Sequence, residues 1–174
     1  GDLCWRCYAR GLKTLIVFPD RCTGCQACML ACSFATEGVF SLTKSRIRVV
    51  KFEEEGVDVP MPCFHCEKAP CISVCPTRAL SRDASTNAVL LDHTKCIGCR
   101  LCMIACPFGA MHYDGVRKIV YKCDLCYGDP SCVKWCETKA IVYADPERMA
   151  EAKWEGKAQE ISIWSREVSK TRGW

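Results

Sequence analysis

The sequence predicts an α+β fold of two related modules, in which small β-hairpins and short helices surround groups of cysteines. Sixteen of the 18 cysteines fall into four groups of four, and every group ends in C-x3-C. β-rich segments lead into three of the groups, and short or apolar residues that suit one or two helical turns separate the third and fourth cysteines. Because a repeated unit fixes an architecture, these observations predict a duplicated fold.

The four groups differ only in the gap between their second and third cysteines. Groups 1 and 3 have the spacing C-x2-C-x2-C-x3-C, whereas groups 2 and 4 widen that gap to four and five residues. In chain order they are Cys22, Cys25, Cys28 and Cys32 (group 1); Cys63, Cys66, Cys71 and Cys75 (group 2); Cys96, Cys99, Cys102 and Cys106 (group 3); and Cys123, Cys126, Cys132 and Cys136 (group 4).

Group 3, with Pro107 directly behind it, has the spacing of iron–sulfur ligands. Three close thiolates hold one [4Fe–4S] cube, and the fourth, after a short helix that the proline ends, reaches a second cube. The repeat therefore predicts four [4Fe–4S] clusters on the sixteen cysteines, in two ferredoxin-like modules. A disulfide framework is not expected, because such C-x2-C pairs converge on one point and an oxidising compartment would pair them first.

The N-terminal segment, residues 1–11, holds Cys4 and Cys7 without a second pair beside them. Two thiolates cannot complete a tetrahedral zinc site. Three interpretations stay open: incidental thiols near a chain end, a zinc half-site completed by other residues or by a partner, and a redox disulfide.

Three strands are predicted to deliver the cysteine loops. Residues 12–18 lead into group 1, residues 88–91 into group 3 and residues 116–121 into group 4. Their many β-branched and aliphatic side chains favour extended structure.

Two hairpins are predicted outside the cysteine groups. After Cys32 the chain leaves the repeat, and strands at 46–52 and 57–59 flank a charged turn. Asp114-Gly115 is the strongest short turn signal, and it joins a strand at 111–113 to the strand before group 4. A last strand, at 141–143, closes the repeat region.

The C-terminal segment, residues 146–174, is predicted to be a helix followed by an extended tail. Asp145 suits the N-cap, Pro146 the first helical position and Glu147 the first turn, with the helix continuing to residue 157. The tail carries few apolar residues, among them two tryptophans. We expect it to dock on another subunit, with a plain surface tail as the alternative.

The formal net charge of +4 counts every cysteine as neutral. A [4Fe–4S]2+ core with four thiolates carries about −2, so four clusters leave the loaded protein near about −4. This sign removes the electrostatic support for nucleic-acid binding. No apolar run approaches the roughly 20 residues of a membrane span, and no signal segment opens the sequence, so we expect a cytoplasmic protein without a membrane span.

Two sequence blocks carry a family resemblance. They are the block PCFHCEKAPCISVCPT at residues 62–77 and the block KCDLC at residues 122–126, together with group 3. Over residues 12–145 the chain resembles the four-cluster ferredoxin subunits of multisubunit oxidoreductases. It departs from that pattern in the added Cys4/Cys7 segment and at Ser33 and Glu137, because proline usually follows the last cysteine of a group.

The resemblance implies an electron-transfer subunit that is not itself an enzyme. Such subunits carry single electrons between a large catalytic subunit and a further electron carrier or subunit. Their partners include molybdenum or tungsten bis-pterin enzymes such as dimethyl sulfoxide reductase and formate dehydrogenase, and also carbon monoxide dehydrogenase and membrane hydrogenases. The short chain is more similar to subunits of soluble partners, including tungsten aldehyde oxidoreductases and the tungsten benzoyl-CoA reductase of anaerobes.

Spacing alone leaves the pairing of the groups open, because sequential and nested schemes both join one compact group to one stretched group. The interruption after Cys32 favours nesting, and the related subunits are nested. The resemblance thus implies an outer module, residues 12–52 and 113–145, around an inserted inner module, residues 53–112. It also implies clusters in the linear order Cys22, Cys25, Cys28 with Cys136; then Cys123, Cys126, Cys132 with Cys32; then Cys96, Cys99, Cys102 with Cys75; and last Cys63, Cys66, Cys71 with Cys106.

His65 lies inside the group 2 motif, and the resemblance implies a hydrogen bond that tunes a cluster rather than ligation. Two other functions compete with electron transfer in a complex. C-x2-C pairs also occur in zinc-stabilised interaction modules, although zinc prefers two pairs with a long spacer. A free polyferredoxin would need no dedicated partner. No nucleophile–base pair, phosphate-binding glycine loop or paired carboxylates indicate catalysis.

Overall fold

The computed structural model of the chain describes residues 13–172. Residues 14–143 form one unit, and the described part of a second unit consists of residue 13 and residues 144–172. The first unit holds all sixteen grouped cysteines, whereas the described part of the second is mainly one long helix. Short strands, turns and helices make up the chain, so the predicted α+β class is confirmed.

In the described part of the chain, eight short strands pair into four two-stranded sheets. Three of these sheets join consecutive antiparallel strands, and the fourth joins the first strand to the last. The strands are β1 Thr14–Val17, β2 Arg48–Phe52, β3 Val57–Met61, β4 Leu80–Arg82, β5 Val89–Leu91, β6 Met111–Asp114, β7 Ile119–Lys122 and β8 Ile141–Ala144. The pairs are β1–β8, β2–β3, β4–β5 and β6–β7.

Four helices of the first unit carry cysteines. Each contains the third cysteine of one group, which confirms the predicted helical turns between the third and fourth cysteines. These helices are α1 Ala27–Glu37, α2 Pro70–Ser73, α3 Leu101–Ala105 and α4 Ser131–Lys134. A short 3₁₀ turn occupies Pro19–Arg21, and a turn of left-handed residues occupies Leu125–Gly128.

The predicted strands are present, and one of them is shifted. The strand expected at 116–121 begins only at Ile119. Asp114 Oδ1 accepts hydrogen bonds from the amides of Val116 (2.9 Å) and Arg117 (3.0 Å). The Asp-Gly pair therefore opens a longer turn closed by a side chain, and the boundary predicted from a two-residue turn was wrong.

Two hydrophobic cores lie within the first unit. Core A contains cysteines of groups 1 and 4, and core B contains cysteines of groups 2 and 3. The buried members of core A are Leu15, Cys28, Met29, Cys32, Ile47, Ala88, Leu125, Cys132 and Ile141. The buried members of core B are Ala69, Cys71, Leu80, Val89, Cys102, Met111 and Val120.

Strand β5 and the residue before it lie between the two cores. Because side chains alternate along a strand, Ala88 and Leu90 pack in core A while Val89 and Leu91 pack in core B. The module boundaries expected at 52/53 and 112/113 fall inside the β2–β3 and β6–β7 hairpins. The module boundaries themselves stay a prediction.

Helix α5, Pro146–Arg172, begins as the sequence predicts. Asp145 Oδ1 accepts a hydrogen bond from the Glu147 amide (3.0 Å), which makes it the N-cap. The extended tail expected after residue 157 is wrong, because the helix continues through that region. A helical glycine such as Gly156 costs only about 1 kcal/mol, and good helix formers without a further proline surround it. Among the described residues, no helix is long and apolar enough to cross a membrane.

Candidate iron–sulfur centres

All four C-x2-C loops share one backbone feature. The second residue between the first two cysteines is left-handed in each loop, with φ of +63° at Gly24, +47° at His65, +68° at Gly98 and +57° at Leu125. Such a residue reverses the chain locally and turns successive side chains and amides toward one point. The four loops therefore share a left-handed residue at the same position, although only groups 1 and 3 supply a glycine there.

The two loop glycines leave little room for a side chain. A Cβ on Gly98 would lie 2.4 Å from the backbone oxygen of Lys118, and a Cβ on Gly24 would lie 2.3 Å from Asp58 Oδ2. A backbone oxygen cannot move aside as a carboxylate can, so the loop of group 3 is the more tightly constrained of the two.

Groups 2, 3 and 4 also end in the same way. The third residue after the last cysteine has a positive φ, namely +52° at Arg78, +62° at Gly109 and +55° at Lys139. Each turn leads directly into a strand. Group 1 differs because α1 continues to Glu37, in agreement with the interruption of the repeat after this group.

Two cavities each combine three cysteines of one group with the last cysteine of another. One is lined by Cys63, Cys66, Cys71 and Cys106, and the other by Cys22, Cys25, Cys28 and Cys136. Their volumes, open sides included, are ≈ 360 and ≈ 300 Å³. Each cavity brings four thiols to one space, which is the donor set of a [4Fe–4S] cube.

A third set of thiols surrounds Cys132 in core A. Burial raises the pKa of Cys132, and the nearby thiols of Cys123, Cys32 and Cys126 raise it further. Cys32 is the last cysteine of group 1, whereas the other three belong to group 4. This set therefore has the same composition as the two cavities.

The fourth set lies in core B. Burial raises the pKa of Cys102 to about 11, and the neighbouring Cys99 and Cys96 contribute to this rise. Cys75 packs against the same core, and its Sγ accepts a hydrogen bond from the Ala79 amide (3.3 Å). The last cysteine of group 2 thus lies in the core that also holds Cys96 and Cys102 of group 3.

Contacts between the sets give them an order. Burial raises the pKa of Cys123 to about 12, and Cys63 adds to this rise, which places group 2 beside group 4. Besides burial, Cys71 contributes to the raised pKa of Cys102, which places group 2 beside group 3. These contacts favour the order group 1, group 4, group 2, group 3. The sequence-based order, which places group 3 before group 2, differs in which of these two groups lies beside group 4, and it stays a prediction.

The exposed cysteines occur at the two ends of this order. In the described part of the chain, Cys25 of group 1 and Cys99 of group 3 are exposed, and the other grouped cysteines are buried or half-buried. The end sets are therefore the ones open to solvent.

Backbone amides donate hydrogen bonds to cysteine sulfurs in core A, as the Ala79 amide does in core B. Arg46 N lies 3.4 Å from Cys32 Sγ, and Leu125 N lies 3.4 Å from Cys123 Sγ. Such bonds stabilise negative charge on the sulfur and influence the reduction potential of an iron–sulfur cluster.

Sequence reasoning missed an ion pair that joins the loops of core A. Arg46 Nη1 lies 2.6 Å from Asp124 Oδ2, and both side chains are largely buried. Asp124 also accepts a hydrogen bond from the Cys126 amide (2.9 Å). A lone arginine at a strand start and an aspartate between two cysteines gave no signal that they would meet.

Sequence reasoning also missed Arg82, which fixes the loop of group 2. Its guanidinium donates to the carbonyl oxygens of His65 (3.2 Å), Glu67 (2.8 Å) and Cys66, and to Asn87 O (2.9 Å). These bonds hold the left-handed turn at His65 in place. Burial lowers the pKa of His65 to about 3, and the charges of Lys122 and Arg82 add to this effect, so the imidazole is neutral at neutral pH.

Among the described residues, no three His, Cys, Asp or Glu side chains are placed to hold a single metal ion.

The match to protein families agrees with the arrangement of the cysteines. A family model described as a 4Fe-4S dicluster domain matches residues 54–146, more than half of the chain. The chain belongs to the 4Fe-4S dicluster domain family. A second model, a 4Fe-4S binding domain, matches residues 19–35 of this 4Fe-4S dicluster protein and covers group 1.

Relatives of this 4Fe-4S dicluster protein include subunits of oxidoreductases. The polyferredoxin-like subunit of the aliphatic sulfonate oxidoreductase of Pyrococcus furiosus is 41% identical over 122 residues, which cover 70% of each chain. Formate hydrogenlyase subunit 2 of Escherichia coli is 35% identical over 170 residues, covering 76% of this chain and 82% of the relative. A chain of the BamBC active-site complex of benzoyl coenzyme A reductase aligns over 92% of this chain and 99% of its own length, with 23% identity and a TM-score of 0.46.

Cys4 and Cys7 lie outside the described residues. Their zinc half-site therefore stays a prediction.

Proposed function

We propose that this 4Fe-4S dicluster protein is the electron-transfer subunit of an oxidoreductase complex and holds four [4Fe–4S] clusters. The observation that carries the proposal is the composition of the two cysteine cavities, each with three cysteines of one group and the last of another. That exchange of the fourth ligand is typical of two-cluster ferredoxins. The proposed ligand sets are Cys22, Cys25, Cys28, Cys136; Cys123, Cys126, Cys132, Cys32; Cys63, Cys66, Cys71, Cys106; and Cys96, Cys99, Cys102, Cys75.

The chain's own residues hold the clusters and control their surroundings. When bound, each cluster supplies a one-electron redox couple. The left-handed loop residues direct the thiolates inward, and apolar members of the cores, such as Leu15, Met29 and Val120, exclude water. Amides such as those of Arg46 and Leu125 stabilise thiolate charge by hydrogen bonds to sulfur.

Electrons enter and leave at the two end sets in this proposal. The exposure of Cys25 and Cys99 supports it, because a partner must bring its own redox centre near the end of such a series. The internal sets contain no exposed cysteine among the described residues.

The partner at one end is, in this proposal, a large catalytic subunit of the molybdenum or tungsten bis-pterin type. Relatives named as subunits of an aliphatic sulfonate oxidoreductase and of formate hydrogenlyase support a catalytic partner. A further electron carrier or subunit occupies the other end. The chain itself is not catalytic, and its cytoplasmic location stays a prediction.

Anaerobic purification from the native source tests both parts of the proposal. The chain should contain about sixteen iron and sixteen sulfide ions, and a larger subunit with molybdenum or tungsten should co-purify. About twelve irons or fewer in an intact preparation would mean that one set holds no cluster. A colourless protein with zinc would support the interaction module instead, and isolation without a partner would support a free polyferredoxin.

A further inference from the structure

His65 is a buried side chain with one engaged and one free ring nitrogen. It is the left-handed residue of the group 2 loop, and it is 8% exposed. Its Nδ1 accepts a hydrogen bond from the Val89 amide (2.9 Å). Because an acceptor nitrogen carries no proton, the proton of the neutral ring is on Nε2. Among the described residues Nε2 has no hydrogen-bond partner, although it is fully buried.

The cavity beside His65 offers a partner of the right chemistry. His65 lines the cavity formed by Cys63, Cys66, Cys71 and Cys106. A buried N–H donor without an acceptor is destabilising, and most such groups in proteins have a partner. Sulfur atoms of a cluster in this cavity accept hydrogen bonds, so the cluster would satisfy Nε2.

We propose that His65 Nε2–H donates a hydrogen bond to a sulfur of the cluster held by Cys63, Cys66, Cys71 and Cys106, and thereby raises the reduction potential of that cluster. The proposal rests on the proposed function in one respect, namely that these cysteines hold a cluster. Reduction adds negative charge to the sulfurs, so a fixed donor stabilises the reduced form more than the oxidised form. The proton stays on Nε2 in both forms.

Val89 fixes the imidazole ring of His65 and connects it through hydrogen bonds to the loop of group 4. Its amide donates to His65, and its carbonyl oxygen accepts from Lys122 Nζ (2.5 Å). Lys122 is 3% exposed and also donates to Cys123 O (2.5 Å), at the start of the group 4 loop. The donor therefore lies on the wall between cores A and B, at an internal set of the series.

Ligation of iron by His65 conflicts with this arrangement. An Nε2 ligand must lose its proton, which would move to Nδ1 and oppose the Val89 N–H with a second donor. Four cysteines already line the cavity. His65 therefore acts as a hydrogen-bond donor to the cluster and not as an iron ligand.

Two substitutions of His65 distinguish the effect of the donor at Nε2 from the effect of the acceptor at Nδ1. In His65→Asn, the short amide can still accept from the Val89 N–H and tolerates the left-handed backbone, but it cannot reach the position of Nε2. In His65→Gln, the longer amide can donate near the position of Nε2 without the acceptor at Nδ1. His112→Asn is the matched control, because His112 Nε2 is also buried and without a partner among the described residues, but His112 does not line this cavity.

Redox titration of the anaerobic holoprotein, followed by EPR, measures the effect. We expect His65→Asn to shift the one-electron equilibrium of one cluster at least tenfold toward the oxidised form, which is about 59 mV. We expect His65→Gln to recover most of the shift and His112→Asn to cause none. An intact cluster with an unchanged potential in His65→Asn would overturn the proposal. If the wild-type protein held no cluster at this set, that result would instead contradict the proposed function.

A measurement without any change at His65 covers the case in which its variants fail to fold. The chain has three histidines, so a His93→Asn, His112→Asn variant labelled with 15N-histidine and made without a histidine tag carries the label only at His65. Pulsed EPR of the reduced protein should detect a weak 15N coupling to one cluster. A strong coupling would indicate ligation and the absence of coupling would indicate a purely structural histidine, and either result would overturn the proposal.

Discussion

Cores A and B contain cysteine loops of the same kind, but the polar side chains around these loops differ. In core A, the Arg46–Asp124 ion pair joins the segment between α1 and β2 to the loop of group 4. In core B, Arg82 fixes a single loop through carbonyl oxygens, and neutral His65 faces the cavity. The cysteine spacing therefore determines the shape of a site, whereas polar residues that are not part of the spacing determine the charge around it and how firmly its loops are held.

Removal of iron should have the largest effect, and it should affect both cores. Cysteines are buried members of both cores, so without clusters the cores lose part of their filling and the bonds that join their loops. We expect a chelator under reducing conditions to abolish hydrogen-exchange protection in β5 and β7. Protection that survives in one core would show that this core folds without its clusters.

Gly98→Ala should affect core B more than Gly24→Ala affects core A. Both residues have a positive φ, which costs an alanine about 1–2 kcal/mol. At Gly98 the new Cβ also overlaps the Lys118 backbone oxygen, so we expect a total near about 3 kcal/mol, against about 1 kcal/mol at Gly24, where a side chain can move. The half-life of visible absorbance in anaerobic urea measures the effect. Equal half-lives would mean that the two loops are equally constrained.

Arg46→Met should weaken core A and leave core B unchanged. It leaves the Asp124 carboxylate without its partner in a largely buried position, which we expect to cost about 2 kcal/mol and to accelerate bleaching roughly 30-fold. Lys134→Met is the matched control, because both members of the Lys134–Asp129 pair are more than half exposed. Similar bleaching rates in both variants would contradict a special role of the Arg46 pair.

The double substitution Cys4→Ser, Cys7→Ser should have the smallest effect on iron. The sixteen grouped cysteines account for all four proposed clusters, so we expect no change in iron content. A loss of about four irons would assign the N-terminal pair to a cluster. Iron analysis together with zinc analysis decides between these results.

The local loop geometry could be predicted from the sequence, but the arrangement of the loops could not. Group spacing predicted the helical turns that carry the third cysteine of each group. The order of the sets depends on the hydrogen bond from Lys122 to Val89 in β5. No sequence pattern predicts that these two residues are in contact. The length of α5 was missed because sparse apolar residues were interpreted as a tail, whereas backbone propensity continues the helix past Gly156.

The partner of Cys136 tests the nested pairing most directly. Mössbauer and EPR spectra of two anaerobic double variants, Cys25→Ser with Cys136→Ser and Cys99→Ser with Cys136→Ser, count the altered clusters. The account predicts about one altered cluster in the first variant, because both residues belong to one set, and about two in the second. Two altered clusters in the first variant and one in the second would establish sequential pairing and contradict the account.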